Sequence, residues 1–142
     1  MPAVCDEADV PFGNPHKAIE LYDQARLIAR EISDRRCEAN ALGNLGVAYK
    51  NLGDATKSNE FCEQQMLISR ELGDRKGEAA ALFNSAVAMD ILGHRADAIS
   101  RAEAALKIFE QTEDPNVETV RRQIAEWCRS ASKDMPVAQE PS

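Results

Sequence analysis

Apolar residues recur at steps of three and four along most of the chain, the spacing that places side chains on one face of an α-helix. Between residues 39 and 52 the apolar positions of this stripe are Ala39, Leu42, Leu45, Gly46, Tyr49 and Leu52. Similar stripes precede and follow it, separated by charged and amide side chains. The pattern predicts a succession of amphipathic helices.

The helical pattern is itself repeated. A shift of 40 residues, which places Arg75 over Arg35, aligns residues 35–74 with residues 75–114 without a gap. The same shift places residues 15–34 over residues 55–74. We therefore predict an array over 14–114, consisting of a half repeat at 14–34 followed by full repeats at 35–74 and 75–114.

The residues between the stripes are typical of helix ends. Gly13, Gly53 and Gly93 fall at equivalent positions and are suited to end a helix. Asp and Asn at the next position are suited to cap the helix that follows. The same pair of roles is predicted for Gly73-Asp74, Ser33-Asp34 and Glu113-Asp114.

The two ends of the chain differ from the repeats. A stripe of Val117, Val120, Ile124 and Trp127 predicts a capping helix over 115–130 that covers the last apolar face of the array. Trp127 is either part of that core or a ligand-stacking residue, and its place on the stripe favours the core. Residues 131–142 are predicted to be a flexible tail, and residues 1–13 an irregular segment.

The motif Leu42-x-x-Leu45-Gly46-x-x-Tyr49, followed by Gly53, resembles the tetratricopeptide repeat. The spacing of 40 residues is similar to the longer variant found in LGN/Pins polarity adaptors and kinesin light chains. Over residues 13–114 the resemblance implies an all-α, right-handed superhelix (solenoid) of antiparallel helix pairs. It also implies a non-catalytic scaffold or adaptor that binds other proteins. The departures from the family pattern are Ser58, Gln65, Ser85 and Met89.

Composition narrows the classes of partner. The 142 residues carry a formal net charge of −7, with acidic residues spread along the chain and no dense basic block. Nucleic acid and anionic membranes are therefore disfavoured as partners. No apolar run approaches the roughly 18 residues of a membrane span, and we expect a cytoplasmic protein. The four cysteines lack a C-x-x-C pair, which favours reduced packing thiols over a zinc site.

Candidates for catalysis are few. The two histidines, His16 and His94, lie beside the glycine turns, where a surface or capping role is favoured over acid–base chemistry. Acidic pairs such as Glu113-Asp114 are interpreted as helix ends. No glycine-rich phosphate loop is present, because each glycine is explained by a helix end or by packing. We expect no catalytic site, no cofactor and no metal.

The resemblance implies that the first helix of each repeat lines a peptide-binding groove. The residues of these helices outside the packed stripe are Asn40, Gly43, Asn44, Val47, Lys50 and Asn51, then Ala80, Phe83, Asn84, Val87, Asp90 and Ile91. Asn on a helix face is often only solvated, but the recurrence of Asn beside Val favours binding to an extended peptide. Gly46, which becomes Ala86 one unit later, predicts a close helix approach. Gly43, which becomes Phe83, predicts an open position for a ligand side chain.

The half repeat suggests a second role. The apolar face around Leu21, Tyr22 and Ile28 needs a cover, which the N-terminal segment or another molecule could provide, unless the chain belongs to a longer array. We therefore predict self-association through this end, giving a homo-oligomer, as the alternative to peptide binding.

Overall fold

The computed structural model describes residues 14–134, which confirm the predicted all-α class. The described residues form six α-helices: α1 (Pro15–Glu31), α2 (Arg35–Asn51), α3 (Ala55–Leu72), α4 (Arg75–Ile91), α5 (Arg95–Gln111) and α6 (Val117–Asp134). The expectations for residues 1–13, and for the tail beyond residue 134, lie outside this range. The helix predicted over 115–130 begins at Val117 and continues to Asp134.

Consecutive helices pack against each other along the whole stack, from α1 with α2 to α5 with α6. The first helices of the two full repeats, α2 and α4, also touch directly, whereas α1, α3 and α5 have no comparable contact with one another within residues 14–134. A row of helices that lies closer together occupies the inner side of a curved stack. The predicted helical solenoid is thus confirmed, and the contact between α2 and α4 is consistent with the prediction that the first helices of the repeats line its inner side.

Short side chains set the turns between the helices. The side chains of Asn14, Asp34, Asp54 and Asp74 each accept a hydrogen bond from the backbone N–H three residues later, as predicted for N-caps. His94 occupies the equivalent place at the start of α5 but makes no side-chain capping bond. An imidazole lacks the short oxygen acceptor with which the other four residues close this turn.

Three equivalent turns require the left-handed backbone conformation that favours glycine. Gly73 adopts it with φ of 69° before α4. Ser33 and Glu113 occupy the same place one unit earlier and one unit later, with φ of 58° and 53°. The two non-glycine residues carry a steric cost that Gly73 does not.

The core between α2 and α3 contains small residues, and where one helix has a smaller residue the facing helix has a larger one. Gly46 of α2 is buried against Cys62 of α3, and a Cβ added at Gly46 would lie 2.7 Å from the Cys62 Sγ. Burial raises the pKa of the Cys62 thiol to about 11. One unit later the same two positions are the buried Ala86 and Ala102. The glycine predicted to mark a close approach does so, and a larger residue opposite fills the space.

A charged network links each unit to the next and was not anticipated from the sequence. The buried Glu38 accepts from Arg30 at 3.3 Å and from Arg35 at 2.8 Å. One unit later the buried Glu78 accepts from Arg70 at 2.7 Å and from Arg75 at 3.0 Å. A buried carboxylate is costly unless it is paired. These pairs therefore allow an acidic residue to lie between the end of one unit and the start of the next.

The last helix starts later than the repeat predicts because its turn is different. The Asp114 side chain accepts from the Asn116 N–H at 2.8 Å, two residues later instead of three. Val120 and Trp127 of α6 are both buried, and Trp127 belongs to a core cluster with Ala86. Trp127 is thus part of the core.

Candidate peptide-binding surface

The helices α2 and α4 carry exposed and half-buried side chains on the side of the stack that we predict to be concave. Asn40, Val47 and Asn51 are exposed on α2, at spacings that place them on one side of the helix. On α4 the corresponding face carries Val87, which is half-buried, and Ile91, whose exposed fraction is 55%. We call this the concave surface; its members are Asn40, Asn44, Val47, Asn51, Ala80, Asn84, Val87 and Ile91.

Two asparagines occupy equivalent positions at the middle of the concave surface. Asn44 and Asn84 are both half-buried, and neither side-chain amide makes a hydrogen bond within the described part of the chain. Each amide offers two N–H donors and a carbonyl acceptor. Val47 and Val87 lie three residues further along the same helices. The surface thus repeats a polar and an apolar group from one unit to the next.

Gly43 does not provide the open position that was expected. It is buried, and a Cβ added to it would lie 2.8 Å from the Gln65 side chain of α3. In the next unit Phe83 fills this space and the residue opposite is Ala105, at the position equivalent to Gln65. A small residue on the first helix (Gly43) therefore faces a large one on the second (Gln65), and one unit later a large residue (Phe83) faces a small one (Ala105). The apolar pattern of one helix does not reveal such a pairing between two helices.

Two further predicted site residues, Phe83 and Asp90, have internal contacts. Phe83 is half-buried and packs against two core clusters, so it contributes to the fold as well as to the surface. Asp90 accepts from Arg95 at 2.7 Å, which commits its carboxylate to an ion pair between α4 and α5. Lys50 is half-buried at the equivalent place in α2.

Two basic residues beside the concave surface were missed. Arg36 and Lys76 are exposed one turn before Asn40 and Ala80, on the same sides of α2 and α4. Arg36 lies 3.5 Å from the Asp74 carboxylate. The signal available in the sequence was a pair of cations at the 40-residue spacing.

The residues predicted to mediate self-association lie on α1. Leu21, Tyr22 and Ile28 are all half-buried. Among the described helices α1 packs extensively against α2 alone, whereas α3 and α5 each lie between two neighbours.

Comparison with models of known protein families identifies the family of the repeats. A family model described as tetratricopeptide repeat matches residues 37–111, which is more than half of the chain. The chain belongs to the tetratricopeptide repeat family. The matched region begins inside α2 and ends at the last residue of α5, so it covers the helices of the two full repeats. No curated protein matches the chain.

Membership of the tetratricopeptide repeat family indicates a general role in protein–protein interaction. Tetratricopeptide repeats mediate protein–protein interactions and are not catalytic. None of the helices within residues 14–134 has the length and apolar character needed to cross a membrane. In the same part of the chain, the His, Cys, Asp and Glu side chains form no cluster of three that could hold a metal ion.

Proposed function

We propose that the concave surface binds an extended peptide segment of a partner protein, so that the chain acts as a scaffold or adaptor. The observation that carries this proposal is the pair Asn44 and Asn84. They are equivalent residues one unit apart, each with a half-buried amide that has no hydrogen-bond partner in residues 14–134. A cytoplasmic location is part of the same proposal.

An extended peptide suits this arrangement because its backbone offers N–H and C=O groups along its whole length. Each asparagine amide can donate to a peptide carbonyl and accept from a peptide N–H. Val47 and Val87 supply apolar contacts beside the amides, and Ile91, 55% exposed, extends the apolar area. Backbone recognition by the asparagines would tolerate varied sequences, and the apolar residues would select for apolar side chains in the partner.

The test begins with a random-peptide display selection against the whole chain, followed by synthesis of a selected peptide. Its affinity is measured by fluorescence anisotropy for the wild type, Asn44→Ala, Asn84→Ala and the double variant. We expect each single variant to weaken binding at least about fivefold, the loss of about 1 kcal/mol for one hydrogen bond, and the double variant at least about 25-fold.

The control is Gln64→Ala, which removes an exposed amide from α3, outside the concave surface. Its affinity and the unfolding temperatures of all four variants should match the wild type. Phe83→Ala is not used as a test, because Phe83 packs against the core and its loss would lower stability. Unchanged affinity in the Asn44 and Asn84 double variant would overturn the proposal.

Self-association is the second candidate, favoured by the position of α1 with one extensively packed neighbour among the described helices. Light scattering of the full chain at high micromolar concentration should then give more than the monomer mass. Leu21→Gln should reduce the oligomer, whereas Leu27→Gln, at a position already 48% exposed on the same helix, serves as the matched control. A strictly monomeric wild type would exclude this role.

A further inference from the structure

A buried polar cluster joins α3 to α4 and α5. Ser85 of α4 is only 1% exposed. Its hydroxyl donates a hydrogen bond to the Asn59 Oδ1 of α3 at 2.5 Å. The same hydroxyl accepts from the Arg101 Nη1 of α5 at 2.7 Å. Arg101 also pairs with Glu63 of α3, with 2.9 Å between Nη2 and Oε2. These four residues, which we call the polar joint, connect the first full unit to the second.

At three of the four positions of the polar joint the equivalent residue one unit earlier is apolar, whereas Glu63 corresponds to Asp23. Ser85 corresponds to Leu45, Asn59 to Ile19 and Arg101 to Phe61. Leu45 is only 1% exposed, as Ser85 is. The boundary between the half repeat and the first full repeat therefore has apolar residues at these three positions. The boundary between the two full repeats has hydrogen-bonding residues at the equivalent positions.

The apolar clusters lie on either side of the polar joint. Ala39, Leu42 and Ile68 form one cluster within α2 and α3. Two other clusters lie within α4, α5 and α6, and Met66 is the α3 side chain that packs against one of them. Helices α3 and α4 pack extensively against each other, and the polar joint lies within this interface.

The two sides also differ in the size of their buried residues. The clusters of α4–α6 contain Leu82, Phe109, Val120 and Trp127. The buried residues of α1 are all alanines. Helices α2 and α3 bury Leu42, Leu45 and Ile68, while their aromatic residues Tyr49 and Phe61 are only half-buried. Because burial of large apolar side chains contributes most to stability, the buried Phe109 and Trp127 favour α4–α6 as the more stable side.

We propose that α1–α3 and α4–α6 are two cooperative blocks, and that α1–α3 opens at the polar joint while α4–α6 remains folded. In repeat arrays the coupling between units depends on their shared interface. A hydrogen bond contributes less net stability than burial of a large apolar side chain. Water also reaches one end of the joint, where the side chains of Arg101 and Glu63 are 27% and 41% exposed. Opening would separate α2 from α4, the two helices of the concave surface.

Hydrogen exchange of the full chain, followed by mass spectrometry, tests this proposal. In the wild type, the slowest amides of α1–α3 should exchange at least about tenfold faster than those of α4–α6. Equal rates for the slowest amides of the two blocks would show a single cooperative unit and would overturn the proposal.

The first unit provides the residues for a joint variant. Asn59→Ile, Ser85→Leu and Arg101→Phe together copy Ile19, Leu45 and Phe61, and Glu63 remains solvated at the edge. In this triple variant the difference in exchange between the blocks should fall to less than about threefold, because an apolar joint couples them. A folded triple variant that keeps the wild-type difference would contradict the role of the joint.

A single substitution keeps the test decisive if the triple variant does not fold. Ser85→Ala removes the hydroxyl that Asn59 and Arg101 share, and should accelerate exchange in α1–α3 about fivefold and in α4–α6 by a smaller factor. Ser100→Ala, on the exposed face of α5, is the matched control. No acceleration, or equal acceleration in both blocks, would overturn the assignment of the joint.

Discussion

The contact between Gly46 and Cys62 leads to a prediction about how volume is shared across the repeats. A Cβ at Gly46 would lie 2.7 Å from the Cys62 Sγ and 3.3 Å from the backbone oxygen of Ser58. The next unit has Ala86 and Ala102 at the same two places, both fully buried. We therefore expect Gly46→Ala and Cys62→Ala each to destabilise the chain, and the double variant to recover the loss.

The magnitudes follow from three contributions. Gly46→Ala gains about 1 kcal/mol of helix propensity but costs about 2 kcal/mol through overpacking against the sulfur, a net loss of about 1 kcal/mol. Cys62→Ala removes a buried sulfur and costs about 1 kcal/mol. The double variant keeps the helix gain without the clash and should lie within about 0.5 kcal/mol of the wild type. The coupling energy is then about 2 kcal/mol.

Urea unfolding monitored by circular dichroism gives the free energy of unfolding of the wild type, the two single variants and the double variant. The matched control combines Gly46→Ala with Cys128→Ala, since Cys128 is exposed on α6. That pair should be additive. If Gly46→Ala and Cys62→Ala are also additive within about 0.5 kcal/mol, the volume compensation is refuted.

Three further predictions concern the turns and the buried thiol. Ser33→Gly and Glu113→Gly should each raise the free energy of unfolding by about 1 kcal/mol, because both residues adopt positive φ; a loss in urea unfolding would contradict this. His94→Asp should raise it by about 1 kcal/mol by providing the missing cap, and an unchanged unfolding temperature would count against it. Burial raises the pKa of Cys62 from 9.0 to about 11, so the unfolded thiol ionises first. Relative to Cys62→Ala, the wild type should therefore keep its stability below pH 9 and lose up to about 2 kcal/mol by pH 11, as measured by urea unfolding. A constant difference across this range would exclude a native thiol with a raised pKa.

The helices could be predicted because their signals are local in sequence. The stripe from Ala39 to Leu52 and the caps Asp34, Asp54 and Asp74 depend on residues within a few positions of one another. The later start of α6 was missed because Asp114 bonds to Asn116 in a tighter turn. A cap residue in the sequence does not specify which of these two turns it will form.

The contacts between helices could not be predicted from one helix at a time. Gly43 was interpreted as open because Phe83 stands at the same place in the next unit, but the space is filled from α3 by Gln65. The pairing of Arg30 with Glu38 was missed for the same reason, since charged residues on a helix are usually solvated. Both pairs of positions, 43 with 65 and 30 with 38, recur 40 residues later. Comparing such pairs between repeats, instead of single positions, would have indicated these two contacts.

Photo-cross-linking of the display-selected peptide tests the central claim, that the concave surface binds an extended peptide, most directly. A benzophenone amino acid is placed at Asn40 or Asn51, both exposed on the concave surface, or at Gln64, exposed on α3. After irradiation, the account predicts a covalent adduct with the peptide at Asn40 or Asn51, and only background yield at Gln64. An adduct at Gln64 with background yield at both concave positions would contradict it.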